Sequence, residues 1–159
     1  MSYLKISLGI FAVLAASRFF PHPPNFTSLI ALGFYIPAIF GRKFIPAIIA
    51  SYIVTDIYLG FHNLIFFTWG TIILIGLFSK LFANTFLIRI LGALIASCLF
   101  FIITNFGVWT LGSYGFTING LIMCYIAAIP FFAYNLISTL IFSVIIESLL
   151  KLNYVKIGN

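Results

Sequence analysis

Arg18-Phe-Phe-Pro-His-Pro-Pro-Asn-Phe-Thr27 interrupts a chain that is otherwise oily on both sides of it. Pro21, Pro23 and Pro24 forbid a continuing helix and push the residues before them into extended conformations. Arg18, His22, Asn25 and Thr27 offer charge and hydrogen bonds where the flanking segments offer almost none. Gly or Ser would make a simpler connector, so this proline-stiffened polar loop has two readings. It covers or lines a ligand site, or it is a rigid turn that carries an interfacial Arg and His.

Around the loop, 64% of the 159 residues are hydrophobic and 6% are charged, against about 25% charged in a soluble domain. Polar surface is too scarce to hold such a chain in water. The apolar runs are long and lack the period-two alternation of barrel strands. The expected fold class is therefore an all-α integral membrane protein, a single transmembrane domain over residues 1–159. The net charge of +6 is scattered over helix ends, which favours the lipid bilayer as partner and argues against nucleic acid. Cys98 and Cys124 lie inside apolar segments without CxxC spacing, so neither a disulfide framework nor a zinc site is expected. Met1 to Ser17 has the look of a secretory signal, with Lys5, an apolar core and Ala15-Ala16-Ser17. Its removal would strip one helix from a small bundle, so it is read as an uncleaved first transmembrane helix.

Breaks fall at the 21–25 prolines, at Gly41-Arg42-Lys43, at Gly60-Phe61-His62-Asn63, from Lys80 to Asn84 and from Trp109 to Asn119. They leave six apolar segments, roughly 3–20, 26–41, 44–60, 64–82, 86–107 and 119–150. A spanning helix needs about 17–25 residues, so the second and third are near the limit and the sixth is long enough to tilt or to break at Pro130. With six spans, Lys5, Arg42, Lys43, Lys80, Arg89, Lys151 and Lys156 share the side of the termini, and Arg18 alone lies opposite. The positive-inside rule then makes both termini cytoplasmic in a multi-pass inner (cytoplasmic) membrane protein. The outer mouth gathers Arg18, His22, Asn25, Thr27, Asp56, His62, Asn63, Thr104, Asn105, Trp109, Tyr114, Thr117 and Asn119.

Asp56 is the sole acid among the first 146 residues and sits in an apolar segment, where a carboxylate needs a partner or a task. Arg18 is the natural partner. Asp56 is either a ligand or ion contact, or half of a structural pair tethering helices one and three, and both can hold. Glu147 lies four residues before Lys151, the spacing of an ordinary helix pair. His22 and His62 lack HxxxH, HExxH or Cys/His company, so no metal site is expected. Asn105 needs a reason to sit in an apolar helix end and is the better contact candidate, whereas Trp109 suits either a flat ligand or the interfacial belt. Asn135 is assigned to the carbonyl that Pro130 frees. Ala12-x-x-x-Ala16 and Gly92-x-x-x-Ala96 make smooth faces for close helix approach. One outer carboxylate cannot supply an acid–base pair, and no nucleophile grouping or phosphate loop is present, so no enzyme and no cofactor are expected.

Six short helices with both ends inside, the helix-one alanines and a polar first outer loop resemble the substrate-binding S component of an energy-coupling-factor (ECF) vitamin transporter. The strings Arg18-Phe-Phe-Pro-His-Pro-Pro-Asn-Phe-Thr-Ser28, Thr104-Asn-Phe-Gly-Val-Trp109 and Ala127-Ala-Ile-Pro-Phe-Phe132 are more closely similar to an uncharacterised bacterial family of transport-type proteins carrying Pro-His-Pro-Pro-Asn-Phe-Thr. The resemblance covers nearly the whole chain. It implies a vitamin-like ligand held at the outer side under the loop between helices one and two. It also implies toppling on docking to a transmembrane coupling subunit with two ATPases, although some S components work without a dedicated module. Carried over, Ala12 and Ala16 would be docking contacts. Arg18, His22, Asn25, Asp56, Asn105 and Trp109 would form lid and pocket. The expectation is a binding subunit for uptake of a small vitamin-like molecule. The alternatives are a structural or assembly subunit of a larger membrane complex and, less favoured by the scarcity of ionisable groups, a membrane-embedded enzyme. The uptake reading alone requires the outer polar residues to converge on one cavity.

Overall fold

The computed structural model describes residues 3–157, with side chains described through Leu152. Six α-helices follow one another: α1 (Tyr3–Phe19), α2 (Leu29–Phe40), α3 (Ile45–Leu59), α4 (Ile65–Phe78), α5 (Phe86–Thr110) and α6 (Ile118–Ile157). Single 3-10 turns, Arg42–Phe44 and Ser79–Phe82, lead into α3 and extend α4. No strand occurs among the described residues. The helices fall on the six apolar segments, so the proline, glycine and polar breaks mark the helix ends.

Local chemistry explains several of those ends. Gly41 and Gly60 adopt φ of 100° and 99°, and their N–H groups cap α2 and α3 by donating to the Pro37 and Asp56 carbonyls. The missing Cβ makes that conformation accessible. Thr85 opens α5, its hydroxyl accepting from the Ile88 N–H at 3.3 Å. Pro130 does not break α6, which runs through it as one helix.

Three stretches are long and apolar enough to cross a membrane: Ile65–Phe82, Phe86–Thr110 and Ile118–Leu152. The other helices are shorter. At 1.5 Å per residue, the 12-residue α2 reaches only about 18 Å against a hydrocarbon core of about 30 Å. Instead α2 is the hub. Nine of its twelve residues are buried, including Phe34 and Tyr35, as expected of a helix apolar all round. It contacts each of the other five helices, and α5 and α6 form the most extensive pair. At the edge, α1 lays Ile6, Ile10 and Leu14 against the bundle and meets mainly α3.

Small residues set the helix spacing. Gly92 and Ala96 of α5 are buried, and a Cβ on Gly92 would lie 2.6 Å from both Phe34 Cζ and Phe82 Cβ. Ala12 and Ala16 of α1 are exposed, so the second smooth face is not used within the chain.

The two ends of the bundle differ in charge. Loops 20–28, 60–64 and 111–117 gather at one end, where Arg18 is the sole basic residue. Lys5, Arg42, Lys43, Lys80, Arg89 and Lys151 sit toward the other, and the Lys156 side chain lies outside the described residues. There Glu147 departs from the expected pairing with Lys151. It is 6% exposed and held by Arg89 of α5 through Nε–H to Oε1 at 2.6 Å and Nη2–H to Oε2 at 2.7 Å. A carboxylate buried between two helices needs a partner that reaches it there, and the planar guanidinium fork satisfies both oxygens. The exposed Lys151 side chain does neither.

Gly92→Ala forces Phe34 or Phe82 aside and is expected to cost about 1–3 kcal/mol of stability. Gly9→Ala on α1, where a Cβ meets nothing within 4 Å, should leave the melting temperature in detergent unchanged or raise it.

Candidate functional site

Three helix ends meet around one carboxylate. Asp56, in the last turn of α3, is fully buried. Arg18, from the last turn of α1, donates through Nη2 to its Oδ1 at 2.6 Å. Trp69 of α4 donates its indole N–H to Oδ2 at 2.8 Å, so both oxygens are engaged. The second guanidinium nitrogen of Arg18 donates to the Thr55 hydroxyl and to the Tyr52 carbonyl, the latter at 3.4 Å. The Arg18 Cζ also lies 4.6 Å from the Tyr52 ring centroid, a cation–π contact. Of the two readings of Asp56, the structural pair is therefore present: it tethers α1 to α3 and adds α4.

The polar loop is pinned at its base. The Ser17 and Ser28 hydroxyls are 2.8 Å apart, and the Ser28 N–H donates to Ser17 Oγ at 3.1 Å. Asn25 takes a left-handed φ of 64°, which Asn tolerates better than most residues. Both ring nitrogens of His22 face backbone oxygens, Pro23 O at 2.7 Å and Arg18 O at 3.3 Å.

Beneath the loop lies a cavity of about 490 Å³. Phe100, Phe101, Thr104 and Asn105 of α5 line it together with Phe131, Phe132 and Asn135 of α6. Asn25, His62 and Tyr114 close it from three loops, with Arg18 and Tyr52 at its side. A second space of about 330 Å³ shares Arg18, Asn25, Tyr52, Phe100 and Asn135 with the first and adds His22 and Thr27. The Phe101 and Phe132 rings stack on each other at 4.4 Å, joining α5 to α6 at the wall.

Four of the six expected pocket residues, Arg18, His22, Asn25 and Asn105, line one or both spaces. Asp56 lies behind Arg18 and Trp109 lies outside the walls. The Trp109 indole N–H donates to Gly115 O at 3.0 Å, and the ring packs on Phe106 and Phe116. It braces the 111–117 loop. Ala12 and Ala16 are remote from the main cavity, on the open side of α1.

Asn135 has a different place from the one expected. It is 6% exposed, lines both spaces, and its side-chain amide makes no hydrogen bond among the described residues, to the carbonyl freed by Pro130 or to any other. Its spacing from Ala128 and Phe131 puts the three on one helix face, as does that of Phe101, Asn105 and Val108 on α5. That shared periodicity was the available signal. Tyr52, one turn before Asp56, is a second wall residue that the apolar context concealed.

The polar groups have defined capacity left. Asn105 donates to Phe101 O at 2.8 Å, which leaves its side-chain oxygen as an acceptor. His62 Nδ1 accepts from the Leu64 N–H at 3.2 Å, so its remaining donor is Nε2–H. No group of three His, Cys, Asp or Glu side chains comes together among the described residues.

The chain belongs to DUF6580. That family, described as a family of unknown function, matches residues 2–157, nearly the full length. No curated protein and no solved structure matches the chain.

Trp69→Phe keeps the ring and removes the hydrogen bond to Asp56, and is expected to cost about 1.5–3 kcal/mol of stability, as for bonds to charged groups. Trp109→Phe loses only a neutral bond at the surface and should cost about 0.5–1.5 kcal/mol. Thermal unfolding of both variants in detergent makes the comparison.

Proposed function

We propose that this chain is a membrane-embedded binding subunit for uptake of a small, vitamin-like molecule, similar in role to the S component of an energy-coupling-factor transporter. The observation that carries the reading is the convergence of polar side chains from loops 20–28, 60–64 and 111–117 and from α5 and α6 on one cavity. The Asn135 side-chain amide lines that cavity with no hydrogen bond to the protein, so its donors and its acceptor are free for a ligand. The volume lies within the roughly 300–1,000 Å³ of small-molecule sites.

In this reading the six helices lie in the inner membrane with both termini cytoplasmic. The basic end is the cytoplasmic one. Arg18, alone at the other end, does not outweigh the Lys and Arg bias toward the basic one. The cavity then opens to the exterior. No enzymatic role is assigned: the one acid near the cavity has both oxygens occupied, and a general acid–base pair has no second member there. Uphill transport requires a partner, and the exposed face bearing Ala12 and Ala16 suits a transmembrane coupling subunit with two ATPases. A structural or assembly subunit has that same open face in its favour, but gives the partnerless Asn135 no task.

Native mass spectrometry of detergent-purified protein from cells grown in rich medium tests the proposal. The expected result is a vitamin-sized adduct that Asn105→Leu loses. A clean apo mass, with a co-purifying membrane partner lacking ATPases, would support the assembly reading instead. Sidedness has its own check. In intact cells a membrane-impermeant maleimide should label Asn25→Cys, and should label Lys151→Cys only after permeabilisation; the reverse pattern would invert the orientation.

A further inference from the structure

The cavity presents hydrogen-bonding groups in number but no uncompensated charge. Arg18 is its one permanently charged wall residue, and Asp56 lies 2.6 Å from its guanidinium. An anion bound at Arg18 would have to share it with a carboxylate that is already fully buried. A cation fares no better. The Asp56 side chain is 1% exposed behind Arg18, and Glu147 is taken by Arg89 at the far end. Burying a ligand charge of either sign would leave it without an opposite charge in a low-dielectric space.

What the cavity does offer is amide chemistry. Asn25, Asn105 and Asn135 each bring a side-chain carbonyl oxygen and an NH₂ group. Asn135 is the most telling: it is 94% buried and has both functions unspent. Beside them stand four aromatic side chains, Phe100, Phe101, Phe131 and Phe132, among which a flat π-system packs well.

We infer that the ligand is an uncharged, planar heterocycle whose edge carries alternating donors and acceptors of the amide type, read by Asn105 and Asn135 while its ring packs among the lining phenylalanines. This rests on the ligand-site reading above. Such a site discriminates by leaving its buried amides unpaired when the wrong edge enters.

The test uses the full chain in lipid nanodiscs and three matched pairs that differ chiefly in charge: adenosine with AMP, uracil with orotate, and nicotinamide with nicotinate. Retention is read by native mass spectrometry and by the shift in melting temperature. In at least one pair the neutral member should bind about tenfold or more tightly than its anion. Asn135→Leu should abolish that retention while holding or raising the melting temperature of the free protein, since the amide makes no hydrogen bond within the protein. A purely structural Asn135 would instead lose stability on substitution. Tighter binding of any anionic member overturns the inference, as does neutral binding that survives Asn135→Leu. Retention of none of the six, with an adduct still present on protein taken from cells, overturns the ligand class and leaves the uptake reading standing. Absence of both overturns the two together.

Discussion

The Asp56 carboxylate organises the end of the molecule where the cavity lies. It is buried where an isolated charge would be very costly, and it is stable there because Arg18 and Trp69 each take one oxygen. The consequences run outward from that pairing. Arg18 sits at the last turn of α1, so its hold on α3 anchors a peripheral helix that otherwise meets the bundle mainly through Ile6, Ile10 and Leu14. The same contact fixes where loop 20–28 begins, and the Ser17–Ser28 pair fixes where it ends. Asn25 is thereby presented over the space between α5 and α6. Charge neutralisation and loop placement are thus two results of one interaction.

A second buried pair, Arg89 with Glu147, closes α5 onto α6 at the opposite end. The chain has two acidic residues in all, and each is matched with an arginine across a helix interface. Between the two pairs the packing is close, with the Ser97 hydroxyl donating to Thr139 across α5 and α6 at 2.8 Å and Gly92 letting Phe34 of the central helix approach α5. The cavity opens near the first pair, where aromatic and amide side chains replace aliphatic packing.

Much of this architecture could be read from the sequence because its punctuation is chemical. The 21–25 prolines, Gly41, Gly60 and Thr85 act locally, and they mark helix ends within a few residues. The Arg18–Asp56 pair was foreseeable because an apolar segment with one acid leaves few candidates. Pairings across helices were less accessible. Spacing along one helix points Glu147 to Lys151, whereas its partner is 58 residues away in sequence. Faces were hard to tell apart too. Where both the lipid-exposed and the buried sides of a helix are apolar, periodicity does not show which side turns inward. Sequence alone therefore points Asn135 to its own backbone and not to a cavity formed with α5. Proximity to Asn105 suggests Trp109 for the pocket, but four residues along and turned toward Gly115 it braces a loop. The ligand itself is not written in any motif; it is implied only by the balance of charge and hydrogen-bonding capacity that folding creates.

That balance depends on Arg18 and Asp56 behaving as one neutral unit, and a double-mutant cycle on thermal stability tests this most directly. With Arg18→Met and Asp56→Leu, each single variant leaves a buried charge unmatched and is expected to lose about 3–5 kcal/mol, whereas the double variant should recover most of that loss. Additive losses would contradict the account. They would mean that the two charges act independently and that the guanidinium of Arg18 stands as an available cation in the cavity wall.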